Sequence, residues 1–238
     1  MEIAIRVHYA VRRRTETVLE KLPQLGIITR NRYGADILNA DTVMFLDWDA
    51  HPAPSHGWRG LVERISVLFK GHHLEAAQRG QVQRVQEAKI ALEATIRSKV
   101  SELNLGIRLY ETCNGLRGIV TSSRFDPTDS VALDLMTYLG ADPLYVKLCR
   151  LQNTFRARLT PKHWRVGLSE RPLKKPGVTP TEIAQMTHWL EQYRARSQQY
   201  ATARLIAAFG SSDTDEFVQQ VVTLHDTRCK VSSGLKLA

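Results

Sequence analysis

The sequence lacks any apolar run long enough to cross a bilayer, which takes about 18 residues. Its first residues, Met1-Glu2-Ile3-Ala4-Ile5-Arg6-Val7, alternate like a strand and do not form an apolar leader. Neither membrane insertion nor secretion is expected. Cysteine is scarce: Cys113, Cys149 and Cys229 are odd in number and far apart. That pattern excludes a disulfide framework and a zinc motif, and fits the reduced thiols of a cytoplasmic protein. A Walker A loop, a Rossmann glycine fingerprint, a Gly-x-Ser-x-Gly elbow and a His-Glu-x-x-His helix are all missing. Their absence argues against a P-loop ATPase, a dinucleotide enzyme, a serine hydrolase and a zincin. The last deficit is local. From Pro143 to Ser169 there is no acidic residue, yet the span holds Lys147, Arg150, Arg156, Arg158, Lys162 and Arg165.

The 238 residues carry 33 Lys+Arg against 24 Asp+Glu, a net charge of +9. That surplus points to a polyanionic partner. The opening reads as a strand at 2–9, a helix from Val11 to Leu25 with Arg12, Arg13 and Arg14 in its first turn, a short strand Ile27–Arg30 and a strand over 42–49. His51 to Gly57 is a loop whose His51 and His56 are solvated or, alternatively, join a metal site, and Trp58 to Lys70 is a helix. Leu74 to Leu103 repeats apolar residues every three to four positions and predicts a long amphipathic helix, suited to docking a protein partner. Asn114-Gly115 between two strand-like runs predicts a hairpin that sets Thr112 opposite Arg117. Thr128 or Asp129 caps a helix to Leu139, and Asp142-Pro143 opens another that runs from Leu144 to about Phe155. Thr179 or Thr181 caps a helix extending to Phe209, and a last helix covers Thr214 to Leu224. A disordered tail is expected from Lys230. The fold class is α+β: a central, mostly antiparallel sheet flanked by helices, with a long helical insertion and a helical C-terminal part. The expected domains are a catalytic-like α+β unit over 1–168, interrupted by a helical insertion at 57–104, and a helical subdomain over 178–228.

One stretch carries chemistry. In Val43-Met44-Phe45-Leu46-Asp47-Trp48-Asp49 an apolar run ends in two carboxylates one residue apart. Strand geometry turns Asp47 and Asp49 to the same face. Two such acids repel unless a cation neutralises them, and an all-oxygen pair suits Mg²⁺ or Mn²⁺. The alternative is a strand end with two solvated acids. In Arg156-Ala157-Arg158 the guanidinium groups share a face when extended, and such forks match phosphate oxygens. Lys147, Arg150 and Arg165 extend the basic surface along which a nucleic-acid backbone would track. Thr112 and Arg117 would form an anion cradle beside the acids, or a cross-strand surface pair.

An apolar strand ending in Asp-x-Asp, a hairpin and then a Lys/Arg segment together resemble the archaeo-eukaryotic primase superfamily over about residues 42 to 165. The resemblance implies that Asp47 and Asp49 hold catalytic Mg²⁺ or Mn²⁺. It implies phosphate contacts from the region Thr112-Cys113-Asn114-Gly115-Leu116-Arg117, where the family's histidine is missing and Arg117 is the substitute. It implies a further basic element in Arg156, Arg158 and Lys162. For the family's third acid, Asp226 in Leu224-His225-Asp226 and Asp126 are equal candidates. The implied activity is metal-dependent nucleotidyl transfer on nucleic acid, with a nucleoside triphosphate as substrate. A non-catalytic nucleic-acid-binding scaffold and a metal-dependent nuclease are the competing expectations.

Overall fold

The computed structural model describes residues 16–50, 73–169, 172, 179–211 and 214–238, with side chains in the long helix from residue 82 onward. The expected strand at 2–9, the arginines at 12–14, the His51–Gly57 loop and the helix at 58–70 lie outside the described residues.

The fold is α+β, built on two antiparallel four-stranded sheets. The first contains β1 (Thr17–Leu22), β2 (Gly26–Arg30), β3 (Asp36–Ala40) and β7 (Phe155–Arg158), in the order β1-β2-β3-β7. The second contains β4 (Phe45–Asp49), β5 (Ile107–Glu111), β6 (Gly115–Val120) and β8 (Arg204–Phe209), in the order β4-β6-β5-β8. One hydrophobic core serves both. Phe45, Leu46, Leu109, Leu116 and Ile119 of the second sheet join Leu38, Phe155 and Ala157 of the first, with Val218, Val221 and Val222 from the last helix. Burying each of the larger side chains contributes roughly 2 kcal/mol.

Among the described residues five α-helices accompany the sheets: α1 (His73–Glu102), α2 (Ser130–Tyr138), α3 (Pro143–Gln152), α4 (Pro180–Ser197) and α5 (Glu216–Cys229). Their starts follow local chemistry. Asp129 caps α2, Asp142 caps α3 ahead of Pro143, and Thr179 with Glu182 forms a capping box on α4. The inner face of α1 places Ile96 and Val100 in the core, while Val82 and Ile90 remain exposed. Among the described residues no helix is long and apolar enough to cross a membrane, and the three cysteines are free.

Four sequence expectations change. The segment expected to be helical up to Leu25 forms β1, because Pro23 would sit in the last helical turn without an N–H; instead Gln24 adopts φ 67° and the chain reverses into β2. The helix expected to reach Phe209 stops at Ser197. Arg204–Phe209 is an apolar run that suits either periodicity, and pairing with β5 makes it a strand. Phe155 belongs to β7, since Asn153 ends α3 in the left-handed conformation. The tail is ordered: Leu237 bridges Ala201, and Ala238 is buried.

Candidate functional site

The site lies where β4 and β7, edge strands of the two sheets, come together. In the β4–β6 register Asp47 faces Arg117 and Asp49 faces Gly115. The hairpin differs from its sequence expectation. Its loop is Cys113-Asn114, Thr112 N–H donates to the Gly115 carbonyl at 2.9 Å, and Arg117 lies opposite Tyr110, not Thr112. The reason is steric. A Cβ on Gly115 would sit 1.9 Å from the Trp48 carbonyl oxygen, so this glycine is required for the approach of β4 and is not used in the turn. By register Thr112 still shares the face of Asp49. Its carbonyl accepts from the buried Lys89 ammonium of α1 at 2.7 Å, and Lys89 also pairs with Glu111 at 3.0 Å.

Arg117 is buried and held on several sides. Its Nε lies 3.7 Å from Asp47 Oδ1, and its Nη1 donates to the Arg158 carbonyl at 2.9 Å. The same Nη1 is 3.4 Å from His225 Nε2. His225, fully buried on α5, has Nδ1 2.9 Å from Asp226 Oδ1. An Nδ1–H tautomer satisfies both contacts: it donates to Asp226 and leaves Nε2 as acceptor for Arg117. Asp226 in turn pairs with Arg108 at 2.9 Å. The Asp226–His225–Arg117–Asp47 chain thus fixes the guanidinium beside the acid. Asp226 is committed within this chain, and Asp126 sits in an exposed turn accepting from Thr128.

The acids form one side of the site. Burial pushes the Asp49 carboxyl up, and the neighbouring Asp47 and Asp142 push it further, against the pull of Lys162 and Arg158. Asp142 is the acid that sequence reasoning missed. It was legible as a helix cap but not as a neighbour of Asp47. Its side chain accepts from Tyr145 N–H at 2.8 Å, and its own N–H donates to the Asp47 carbonyl at 2.9 Å.

The bases form the other side. Burial lowers the Arg158 pKa to about 10, the pull of Asp47 opposing it and Arg117 and Arg165 adding to it. Its Nε is buried without a hydrogen-bond partner. Lys162 is lowered to about 8 by burial and by Arg158 and Arg165, only partly offset by Asp49 and Asp47. Arg165 reaches the hairpin: with the Asn114 amide oxygen turned toward it, Nη2 donates at 3.1 Å. Asp47, Asp49, Arg117, Arg158, Lys162 and Arg165 therefore converge. Arg156 does not join them: it binds Glu16 at 2.7 and 2.9 Å and Gln152 at 2.6 Å. Lys147 and Arg150 are exposed on α3.

Among the described residues no three His, Cys, Asp or Glu side chains form a ready metal-binding group. Two carboxylates still fit Mg²⁺ or Mn²⁺ of the kind that keeps waters and takes its remaining ligands from phosphates. The Asp49 carboxyl is raised first by burial and then by the negative charge of Asp47 and Asp142, and a cation would relieve that second part. No family model, no curated protein and no solved structure matches this chain.

Proposed function

We propose that the protein is a divalent-metal-dependent nucleotidyltransferase of primase-polymerase type, acting on nucleic acid with a nucleoside triphosphate. The carrying observation is the split of charge within one site. Asp47 and Asp49, with Asp142 beside them, face Arg158, Lys162 and Arg165. A metal-bound triphosphate has a matching polarity, with cation toward the acids and phosphate oxygens toward the bases. Asp47 and Asp49 would hold Mg²⁺ or Mn²⁺, which would supply neutralisation of charge on the reacting phosphate. Arg158 and Lys162 bind phosphate oxygens, Arg158 offering an unpartnered donor. Arg117 is a positioning residue, since its contacts hold it in place beside Asp47. Arg165, with Lys147 and Arg150, contributes to the nucleic-acid track, and the exposed outer face of α1 is available to a protein partner.

The test is Mn²⁺ and nucleotide titration with primer extension, comparing wild type with Asp47→Asn/Asp49→Asn. Loss of Mn²⁺ binding and of extension is expected. Unchanged metal affinity and unchanged activity would end the enzyme reading.

A second reading, a non-catalytic nucleic-acid-binding protein, draws on the Asp47–Arg117 pair, which already supplies the first acid with a counter-charge. It requires the double variant to keep full nucleic-acid affinity while wild type shows no turnover. Cleavage of single-stranded DNA with Mg²⁺ and no nucleotide would instead identify a nuclease. Under the binding component of any of these readings, affinity falls steeply with salt.

A further inference from the structure

The segment that carries Arg158 and Lys162 also borders a second cavity, of about 330 Å³, lined by the intervening Leu159, Thr160 and Pro161. That volume is in the range of small-molecule sites. Four cations line it, Arg30, Arg194, Arg228 and Lys230, against a single acid, Asp36.

Two of the cations have carboxylate partners. Arg30 holds Asp36 at 3.4 Å, and Arg228 holds Glu20 at 2.6 Å. The other two do not. Among the described residues Lys230 Nζ bonds neutral acceptors only, the Gln198 carbonyl at 2.7 Å, Gln198 Oε1 at 3.0 Å and the Ser197 carbonyl at 3.4 Å. Arg194, exposed on α4, has no carboxylate within ion-pair distance among the described residues. The cavity therefore keeps about two positive charges uncompensated, the charge of one phosphate monoester.

The remaining lining is of a different kind. Ile28 and Leu159 are apolar, and Tyr193 presents an aromatic ring stacked on Trp189 at 5.4 Å and 3°. Tyr193 Oη is occupied, donating to the Pro161 carbonyl at 2.6 Å and sharing a contact with Thr160 at 2.8 Å. Ser197, buried beside it, has an Oγ without a hydrogen bond of good geometry. A ligand with a doubly charged group, a hydroxyl-bonding middle and an aromatic body meets all of these surfaces.

We propose that this cavity binds a small phosphate monoester, with a nucleoside monophosphate as its chemical class. The inference stands apart from nucleotidyl transfer, because none of the groups that bind the phosphate belongs to the acidic site. The probe is AMP, titrated into the full chain by calorimetry and by intrinsic tryptophan fluorescence. Saturable binding is expected in wild type and, within about twofold, in Asp47→Asn/Asp49→Asn. Arg194→Glu should weaken it at least tenfold, Arg194→Gln by less, and adenosine should not compete. Absence of AMP binding would overturn the proposal, as would equal affinity in Arg194→Glu. Loss in the Asp double variant would place AMP in the first site and overturn it too. Binding of an oligonucleotide without terminal phosphates, dependent on Arg194 and not displaced by AMP, would assign the cavity to a polynucleotide and overturn it as well.

Discussion

Arg156 and Arg158 share one strand, one face and one residue type, yet they occupy opposite electrostatic conditions. Arg156 meets Glu16 and Gln152, and Thr29 donates to the same Glu16 carboxylate at 2.6 Å. Arg158 meets Arg117, Arg165 and Lys162 with Asp47 as its main counterweight, and keeps an orphaned Nε. The first is a closed ion pair that serves the fold. The second is a charge held at a cost to folding, which is the condition expected of a ligand-binding group.

Substitutions at these positions separate the two roles. Arg156→Ala strands the Glu16 carboxylate in a buried environment and should destabilise the protein by about 3–5 kcal/mol, read as a lowered urea midpoint. If its midpoint matches wild type, the closed-pair description fails. His225→Asn is expected to cost about 1–3 kcal/mol, since both Arg117 Nη1 and Asp226 lose their buried partner. Arg158→Met should change stability by less than about 1 kcal/mol in either direction, because it removes a buried charge with an unmet donor. Its effect should appear as an at least tenfold loss of nucleotide affinity. A large midpoint drop with unchanged affinity would make Arg158 equivalent to Arg156 and dissolve the contrast.

The smallest effect is a pH dependence at Lys162. Its folded pKa of about 8 lies below the ordinary 10.5, so its charge is present below pH 8 and lost above it. Nucleotide affinity should fall as pH rises through 8. Stability should move the other way. Between pH 8 and 10.5 the unfolded chain binds the proton that the folded chain has released, so this group's contribution to stability rises with pH. Lys162→Met should flatten both dependences, which paired titrations of affinity and urea midpoint would read.

The contrast also marks what the sequence could tell. Features that close within a few residues were legible. The Thr179–Glu182 capping box, the Asp142-Pro143 helix start and the same-face placement of Asp47 and Asp49 all follow from local geometry. The acid-free run from Pro143 to Ser169 singles out Arg158 and Lys162, which lie near Asp47 and Asp49. It also drew equal attention to Arg156, whose partner Glu16 lies 140 positions away. No local pattern carries that pairing. Asp142 was missed as a site residue for the same reason, and β8 because its apolar run fits a helix as well as a strand until β5 offers a hydrogen-bonding edge.

The crowding around Trp48 constrains how this chain can drift. A side chain at Gly115 would collide with the Trp48 carbonyl, and one at Gly118 would come within 2.9 Å of both the indole and Ile107. Arg117 between them is tied to Asp47, and Asp47 precedes the tryptophan. Change at one of these positions is therefore expected to require change at another. Distant relatives should therefore keep Asp-Trp-Asp paired with Gly-Leu-Arg-Gly, or exchange both together, long after the helices and loops have lost detectable similarity. That pair of short motifs, joined across the β4–β6 ladder, is where the packing of this chain expects sequence change to be linked.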